Sequence, residues 1–301
     1  MKMISKAAGA AVATLALIAG AGVAGPALAA HTTHSAPASQ ARAVKSAHAA
    51  PSVLYPGHPL IPATARTRQE LASGRLQTTL TSDNWSGYVA LKKGATFRYI
   101  QATFFVPYLN CPVSPGDPVT YSSHWVGFDG VRDGTVEQDG FEADCLGAKP
   151  TYHAWWELFP KPETPISLVV KGGDSITAIV FYSKTSKKFT LAIVNNTSGR
   201  HFSISLHCQV TCHRSSAEVI SEAPTGVEGG KDVLLPLADY QAVSYTDIAI
   251  TETSGKSGGM TAPAWTTYKI NQTSVSNNNT LVARPTPVHA DAFDSYWYLE
   301  Q

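Results

Sequence analysis

An all-β fold, an antiparallel sandwich or barrel, is what the sequence predicts, and three observations predict it. Past residue 80 the chain is a succession of short runs rich in β-branched and aromatic residues: "WSGYVAL", "RYIQATFFVP", "HWVGFDG", "YHAWWELFP", "ISLVV", "SITAIVFYS", "KFTLAIVNN", "HFSISLHC" and "DIAITET". Turn residues separate them at roughly ten-residue spacing, the rhythm of antiparallel sheets. No stretch of that region carries the 3.6-residue apolar period of an amphipathic helix. Residues 81–301 suit one such domain, large enough to bury a substantial core.

Ahead of that domain the chain reads as two further parts. Residues 1–29 have the form of an export signal: Lys2 and Lys6, an apolar run from Ala7 to Ala24, then Ala27-Leu28-Ala29 as a small-residue cleavage site. No later run approaches the ~20 apolar residues of a membrane span, so the expectation is a secreted, extracellular protein with no membrane partner. Residues 30–80 shift to Ala, His, Ser, Thr and Pro, a pro-segment or a disordered linker.

Charge separates the parts. Residues 1–78 hold 7 Lys+Arg and 1 Asp+Glu, a balance of +6, and residues 79–301 hold 16 and 21, a balance of −5. An acidic domain argues against nucleic acid as partner, because phosphate binding needs clustered Lys and Arg. Opposite net charges attract at neutral pH. A basic leader segment, with His31, His34, His48 and His58, is thus a candidate inhibitor of its own domain, released in acid; a spacer that never touches the cleft is the competing reading.

Four cysteines in an exported chain are expected to pair. "CQVTC" brings Cys208 and Cys212 together around a tight turn, leaving Cys111 with Cys145. Zinc competes for them, but one C-x3-C without a second ligand pair does not make a metal site. No metal and no cofactor is expected.

Within the strands, alternation assigns faces. In "TVEQDG" Val136 and Gln138 point one way and Glu137 and Asp139 the other, so a neutral amide joins the apolar side. A buried Gln must find partners, since an unpaired amide costs ~1–3 kcal/mol. "YHAWWELFP" sets His153, Trp155 and Glu157 on one face, and "AEVISE" sets Glu218, Ile220 and Glu222 on one face. Two neighbouring acids divide acid and base roles when their environments separate their pKa values; on a wet face they are merely solvated. H-E-x-x-H, G-x-S-x-G and phosphate-binding glycine loops are missing.

Taken in order, "DNWSGY", "HWVGFDG" with "VEQDGF", "YHAWWELFP", "AEVISE" and "LADYQAVSYTD" resemble the blocks of the glutamic peptidases, the eqolisins, across most of residues 83–248. The resemblance implies a double β-sandwich of the concanavalin A-like jelly-roll type and endopeptidase action on polypeptides in acid. It implies a catalytic pair, Gln138 and Glu222: Glu222 as general base on a water, Gln138 positioning that water and hydrogen-bonding the oxyanion. Glu157, Trp155 and Asp129 match supporting residues, with Trp85 nearby. Two positions depart from the fungal pattern. His153 stands where Asp is usual, and Val131 and Arg132 follow the "HWVGFDG" block where a cysteine is usual.

A carbohydrate-active or carbohydrate-binding sandwich is the alternative, with Glu157 and Glu222 as acid and nucleophile about 5–5.5 Å apart. That reading gives Gln138 no necessary part. A catalytically dead adhesion or inhibitory sandwich is a further alternative, and both members of the pair being present argues against it. The expected oligomeric state is a monomer.

Overall fold

A computed structural model describes residues 62–72, 78–112, 119–228, 231–274, 276–277 and 279–299. The predicted export signal, 1–29, and the segment through residue 61 lie outside the described residues. One short helix, α1 (Ala65–Ala72), precedes eighteen strands. In chain order these are β1 (Thr79–Ser82), β2 (Trp85–Leu91), β3 (Phe97–Phe105), β4 (Ser123–Asp129), β5 (Val136–Leu146), β6 (Lys149–Phe159), β7 (Thr164–Ile166), β8 (Ser175–Tyr182) and β9 (Phe189–Asn195). They continue with β10 (Arg200–Leu206), β11 (Ser216–Glu222), β12 (Thr225–Glu228), β13 (Lys231–Leu234), β14 (Ala242–Glu252), β15 (Ser257–Gly258), β16 (Thr266–Ser274), β17 (Thr280–Pro285) and β18 (Phe293–Trp297).

A continuous ladder runs β10-β9-β8-β3-β14-β18-β17-β16-β2-β11-β4-β5-β6-β7, with β1 added to β16 and β15 to β14. The pairings are antiparallel except β1 on β16. The ladder folds back so that β4 and β5 pack on β3, β8 and β9, the double-sandwich arrangement. Ring pairs bridge the layers: Phe104 and Phe141 meet edge-on at 5.7 Å, and Phe128 lies 6.5 Å from Phe189. Those rings, with Val126, Ala217, Val219, Val180, Leu191 and Ile193, form the main core.

The expected strands are present, with one correction. "ISLVV" is strand only as far as Ile166; Leu168 and Val170 are buried in the core on irregular backbone. Both expected disulfides are formed, Cys111–Cys145 with Cα atoms 5.4 Å apart and Cys208–Cys212 with 6.3 Å. The first ties the loop after β3 to the end of β5.

Part of the segment read as linker is built into the fold. Thr79–Ser82 pairs with Lys269–Gln272 of β16, so the boundary at residue 81 falls inside a strand. Helix α1 has no apolar stripe of its own and is held by contacts instead. Thr67 Oγ1 donates to the Thr81 carbonyl (2.7 Å), the Thr81 N–H donates to Glu70 (2.7 Å), and Arg66 donates to Asn279 Oδ1 (2.9 Å) and Thr273 Oγ1 (3.1 Å). Just before it, the Ala63 N–H donates to the Gly130 carbonyl (3.1 Å), and the Ala63 side chain is fully buried. No helix among the described residues is long and apolar enough to cross a membrane.

Candidate active site

Five adjacent strands, β2, β11, β4, β5 and β6, carry the candidate residues on the face turned away from the main core. Register arranges them in rows, because side chains opposite one another across antiparallel strands share a face. One row runs Trp85, Glu222, Ser123, Glu142, His153. The next runs Gly87, Ile220, Trp125, Gly140, Trp155, and the third Val89, Glu218, Gly127, Gln138, Glu157. The face assignments expected from alternation hold for Gln138, for His153, Trp155 and Glu157, and for Glu218, Ile220 and Glu222. None of these acids is solvated: Glu157, Glu218 and Glu222 are all fully buried.

Glu222 ends β11 with its carboxylate held by neutral donors. Asn84 Nδ2 donates to Oε1 (3.1 Å) and Trp125 Nε1 donates to Oε2 (2.9 Å). Asn84 is oriented in turn, its Oδ1 accepting from Ser82 Oγ at 2.8 Å, while Ser82 Oγ accepts the Trp85 N–H at 3.2 Å. Burial pushes the Glu222 carboxyl well above the usual Glu range, and the Trp125 and Asn84 donors offset only part of that.

Gln138 finds the partner its burial demands: Nε2 donates to Glu157 Oε2, directly opposite on β6. Trp155, two positions before Glu157, stands beside Gly140. A Cβ at Gly140 would lie 2.1 Å from the His124 carbonyl oxygen and 2.8 Å from the Trp125 Cα, so only glycine fits between the tryptophans of that row. Trp85 meets Trp125 edge-on at 5.0 Å, and these rings with Trp155, Ile220, Val131, Val136 and Ala63 form a second apolar cluster.

Asp129 acts from the end of β4. Its left-handed backbone (φ 72°) turns the chain, and its carboxylate accepts the N–H groups of Arg214 (2.5 Å) and Ser215 (2.6 Å). It therefore fixes the entry into β11, which begins at Ser216, and so the placement of Glu218 and Glu222. Burial, and then the charge of Asp133, raise its pKa, against those two N–H donors. Gly130, next along, has φ 87°, and a Cβ there would sit 2.7 Å from Val136 Cγ2 and 2.8 Å from Trp85 Cη2. That close approach sets its carbonyl where Ala63 reaches it.

His153 belongs to a different group of contacts from the Gln138–Glu157 pair. Its Nε2 lies 3.2 Å from Glu163 Oε1 and 3.7 Å from Glu142 Oε2. Burial alone would lower its pKa, but the Glu163 hydrogen bond and charge, with Asp144, outweigh it and hold the imidazole above its usual range. Sequence reading named neither Asn84 nor Trp125 as a partner of Glu222. Both lie in blocks that carried the family resemblance, but register across three strands, not spacing along one, brings them to the carboxylate. A groove of about 210 Å³ lined by Trp156, Leu158, Pro160 and Val210 takes side chains from the other face of β6, away from Glu157.

The Peptidase A4 family is the family whose pattern matches the chain, over residues 83–287, 205 of its 301 residues. No curated protein sequence matches. Among solved structures, scytalido-glutamic peptidase with a transition-state analog inhibitor superposes with TM-score 0.60 at 24% identity, covering 72% of this chain and 98% of that one. SCP-B, a member of the eqolisin family in complex with the tripeptide Ala-Ile-His, gives 0.57 at 24% identity over the same shares. Aspergilloglutamic peptidase from Aspergillus niger gives 0.50 at 21%, covering 60% of this chain and 99% of that one. These likenesses share the fold, and the family match extends across every strand from β2 to β17: the chain belongs to the Peptidase A4 family and is a peptide-bond hydrolase.

Proposed function

We propose that the chain is an exported endopeptidase that works in acid with Gln138 and Glu222 as its catalytic pair. The observation that carries this is a buried carboxyl, Glu222, held by the neutral donors Asn84 and Trp125 on a face shared with an amide, Gln138, that Glu157 locks in place. As carboxylate, Glu222 takes a proton from water while the water oxygen attacks the substrate carbonyl. The Gln138 amide donates to the oxyanion that forms, and the proton on Glu222 passes to the leaving nitrogen as the C–N bond breaks. An amide serves here without changing charge, whereas a carboxylate at 138 would repel both Glu157 and the oxyanion. Ser123 Oγ and Trp155 Nε1, both buried without a hydrogen bond to the protein, are further donors on this face for a bound peptide.

Ala63 and α1 cover this face in the full chain. Ala63 shares the apolar cluster with Trp85, Val131, Val136 and Trp155, and Arg66 pairs with Asp83 (3.7 Å), the neighbour of Asn84. While covered, Glu222 is desolvated and held protonated, which is no state for a base. Lifting the segment admits water, removes the desolvation and lets Glu222 ionise against its donors. Acid favours that opening, because the −5 balance of residues 79–301 fades as carboxyls protonate near ~4, while the Lys and Arg that give residues 1–78 their +6 balance keep their charge. Export is supported by the leader of residues 1–29 and by two disulfides, which persist in oxidising compartments.

The test is digestion of denatured haemoglobin by the purified full chain across pH 2–7, beside a glucan panel and with pepstatin present. Pepstatin-resistant proteolysis in acid, with glucans untouched, is expected; glucan cleavage without proteolysis overturns the reading. A chain beginning at Thr78 is expected to cleave a small peptide at once, where the full chain shows an acid-dependent lag. Equal progress curves for the two would remove the covering segment from the account.

A further inference from the structure

Next to the proposed catalytic pair the same face holds a second group of acids that the reaction does not use. Glu142 and Asp144 lie four and six residues after Gln138 on β5, His153 stands opposite Glu142 on β6, and Glu163 leads into β7. Ligand atoms of Glu142, Asp144 and His153 all lie within 4.8 Å of one another. His153 Nε2 adds Glu163 Oε1 at 3.2 Å and Glu142 Oε2 at 3.7 Å. We propose that Glu142, Asp144, His153 and Glu163 bind a divalent transition-metal cation.

Burial without partners points to a ligand. Glu142 and Asp144 are fully buried and Glu163 is 4% exposed. The Glu142 and Asp144 carboxyls meet one another, and beyond that contact no N–H or hydroxyl donor reaches either oxygen of Glu142, Asp144 Oδ2 or Glu163 Oε2. A buried carboxylate oxygen left unpaired costs more than the ~1–3 kcal/mol of a neutral group. Among the described residues the only basic group paired with Glu142 or Glu163 is His153, so ionised carboxyls here exceed the positive charge beside them. A divalent cation supplies both the charge and the partner for each of those oxygens.

The donor set selects the metal. Imidazole nitrogen with carboxylate oxygens suits zinc and its neighbours, whereas calcium and magnesium prefer oxygen alone. Metal bonds of ~2.0–2.2 Å in a tetrahedral site place ligand atoms ~3.3–3.5 Å apart. The 3.2 and 3.7 Å separations around His153 Nε2 lie within about 0.2 Å of that, and Asp144 lies within 4.8 Å of Glu142 and His153. Support behind the ligands is present too: Asp144 Oδ1 accepts the Ser122 N–H at 3.2 Å, which turns Oδ2 toward the cluster. Three of the four ligands sit on one paired hairpin, β5–β6, so the site is largely preformed. The other grouping of this kind, Glu137 with Cys208 and Cys212, has its sulfurs joined in a disulfide.

The test uses the full chain stripped with EDTA at pH 7 and titrated calorimetrically with Zn²⁺, with Co²⁺ followed by visible absorption and Ca²⁺ as comparison. Histidines of the leader also bind zinc, so variants assign the site rather than stoichiometry. Glu142→Gln, Asp144→Asn and His153→Asn are each expected to weaken one equivalent of Zn²⁺ at least about ten-fold. His153→Asn is also expected to change the Co²⁺ spectrum, and the metal-free variants to keep native circular dichroism. Should Glu142→Gln fail to fold, Asp144→Asn and His153→Asn carry the result. Zinc affinity unchanged in the folded variants, or tighter binding of Ca²⁺ than of Zn²⁺, overturns the proposal. Binding is read without turnover, so the outcome is independent of the catalytic reading.

Discussion

The two layers of the sandwich are buried in different ways. Strands β8, β9 and β14 alternate, with Ile176, Ala178 and Val180 or Leu191 and Ile193 inward and their neighbours partly wet. Every residue of β2, β4 and β11, and all but the last of β5, is buried. An antiparallel sheet normally leaves one face to water. Here the second face of β2, β4, β5 and β11 is covered as well, and what lies beneath the cover mixes tryptophan, amide and carboxyl with aliphatic side chains such as Val89, Val136 and Ile220. Burial of that sort stabilises little, since polar groups repay desolvation only when paired. The wet-faced layer is packed for stability, and the doubly covered layer holds the proposed catalytic pair.

Substitution on the two layers separates these roles. Gln138→Ala is expected to lower kcat about 10²–10³-fold, as loss of one preorganised oxyanion donor does, with about 1–3 kcal/mol of stability lost because Glu157 loses its donor. Ile193→Ala, facing the core from β9, is expected to cost about 2–5 kcal/mol of stability while the folded fraction keeps its kcat. Denaturant unfolding and steady-state kinetics on the same preparations read both. If Ile193→Ala lowers kcat as much as Gln138→Ala does, the division between layers is lost.

Each layer also has its disulfide. Cys111–Cys145 closes a 34-residue separation at the end of β5, and Cys208–Cys212 a 4-residue one after β10. Chain entropy gives the first about 4 kcal/mol and the second about 2. Paired Cys→Ala variants are expected to fall in that order in urea unfolding, and the reverse order would break the expectation.

The pH dependence of stability sharpens the comparison further, because the raised acids cluster on the doubly covered strands. Burial raises Glu137, Asp139, Glu142, Glu218 and Glu222 well above their ordinary values, raises Asp129, and takes Asp144 to about 7. A folded acid with a raised pKa holds its proton where the unfolded chain has lost it. Its contribution is complete below the unfolded pKa, near ~4, and is lost as pH rises through the folded value. His124, buried on the core face and lowered to about 3, opposes this, since its contribution is present above ~6.5 and is lost as pH falls toward 3. Seven raised acids and the raised imidazole of His153, against His124 and the lowered Glu252, give the net sign. The melting temperature is expected to be higher at pH 4 than at pH 7, and a rise from pH 4 to 7 would contradict it.

Much of this was legible along single strands. A two-residue period gave the faces of Gln138, Trp155, Glu157, Glu218 and Glu222, because alternation is a property of each strand alone. Glu142 and Asp144 share the Gln138 face by the same period, but the sequence reading named neither, and their meeting with Glu163 needed the turn between β6 and β7. Register was not legible, so the rows that bring Asn84 and Trp125 to Glu222 were missed. Strands β16, β17 and β18 were missed for another reason: "TTYKINQTS" is too polar to read as a strand without the neighbours that bury Ile270 and Gln272. The covering helix escaped notice because its eight residues have little apolar character and depend on partners as distant as Thr273 and Asn279.

The central claim is that Glu222 is the base on the doubly covered face, and Glu222→Gln tests it most directly. Glutamine keeps the shape of the side chain and a carbonyl oxygen for Trp125 or Asn84, so the variant is expected to fold with a native circular dichroism spectrum and an undiminished melting temperature in acid. Its kcat/KM on a small peptide at the acid optimum is expected to fall at least about 10²-fold, the lower end of general-base catalysis. A natively folded Glu222→Gln protein that cleaves the peptide at the parent rate would contradict the account.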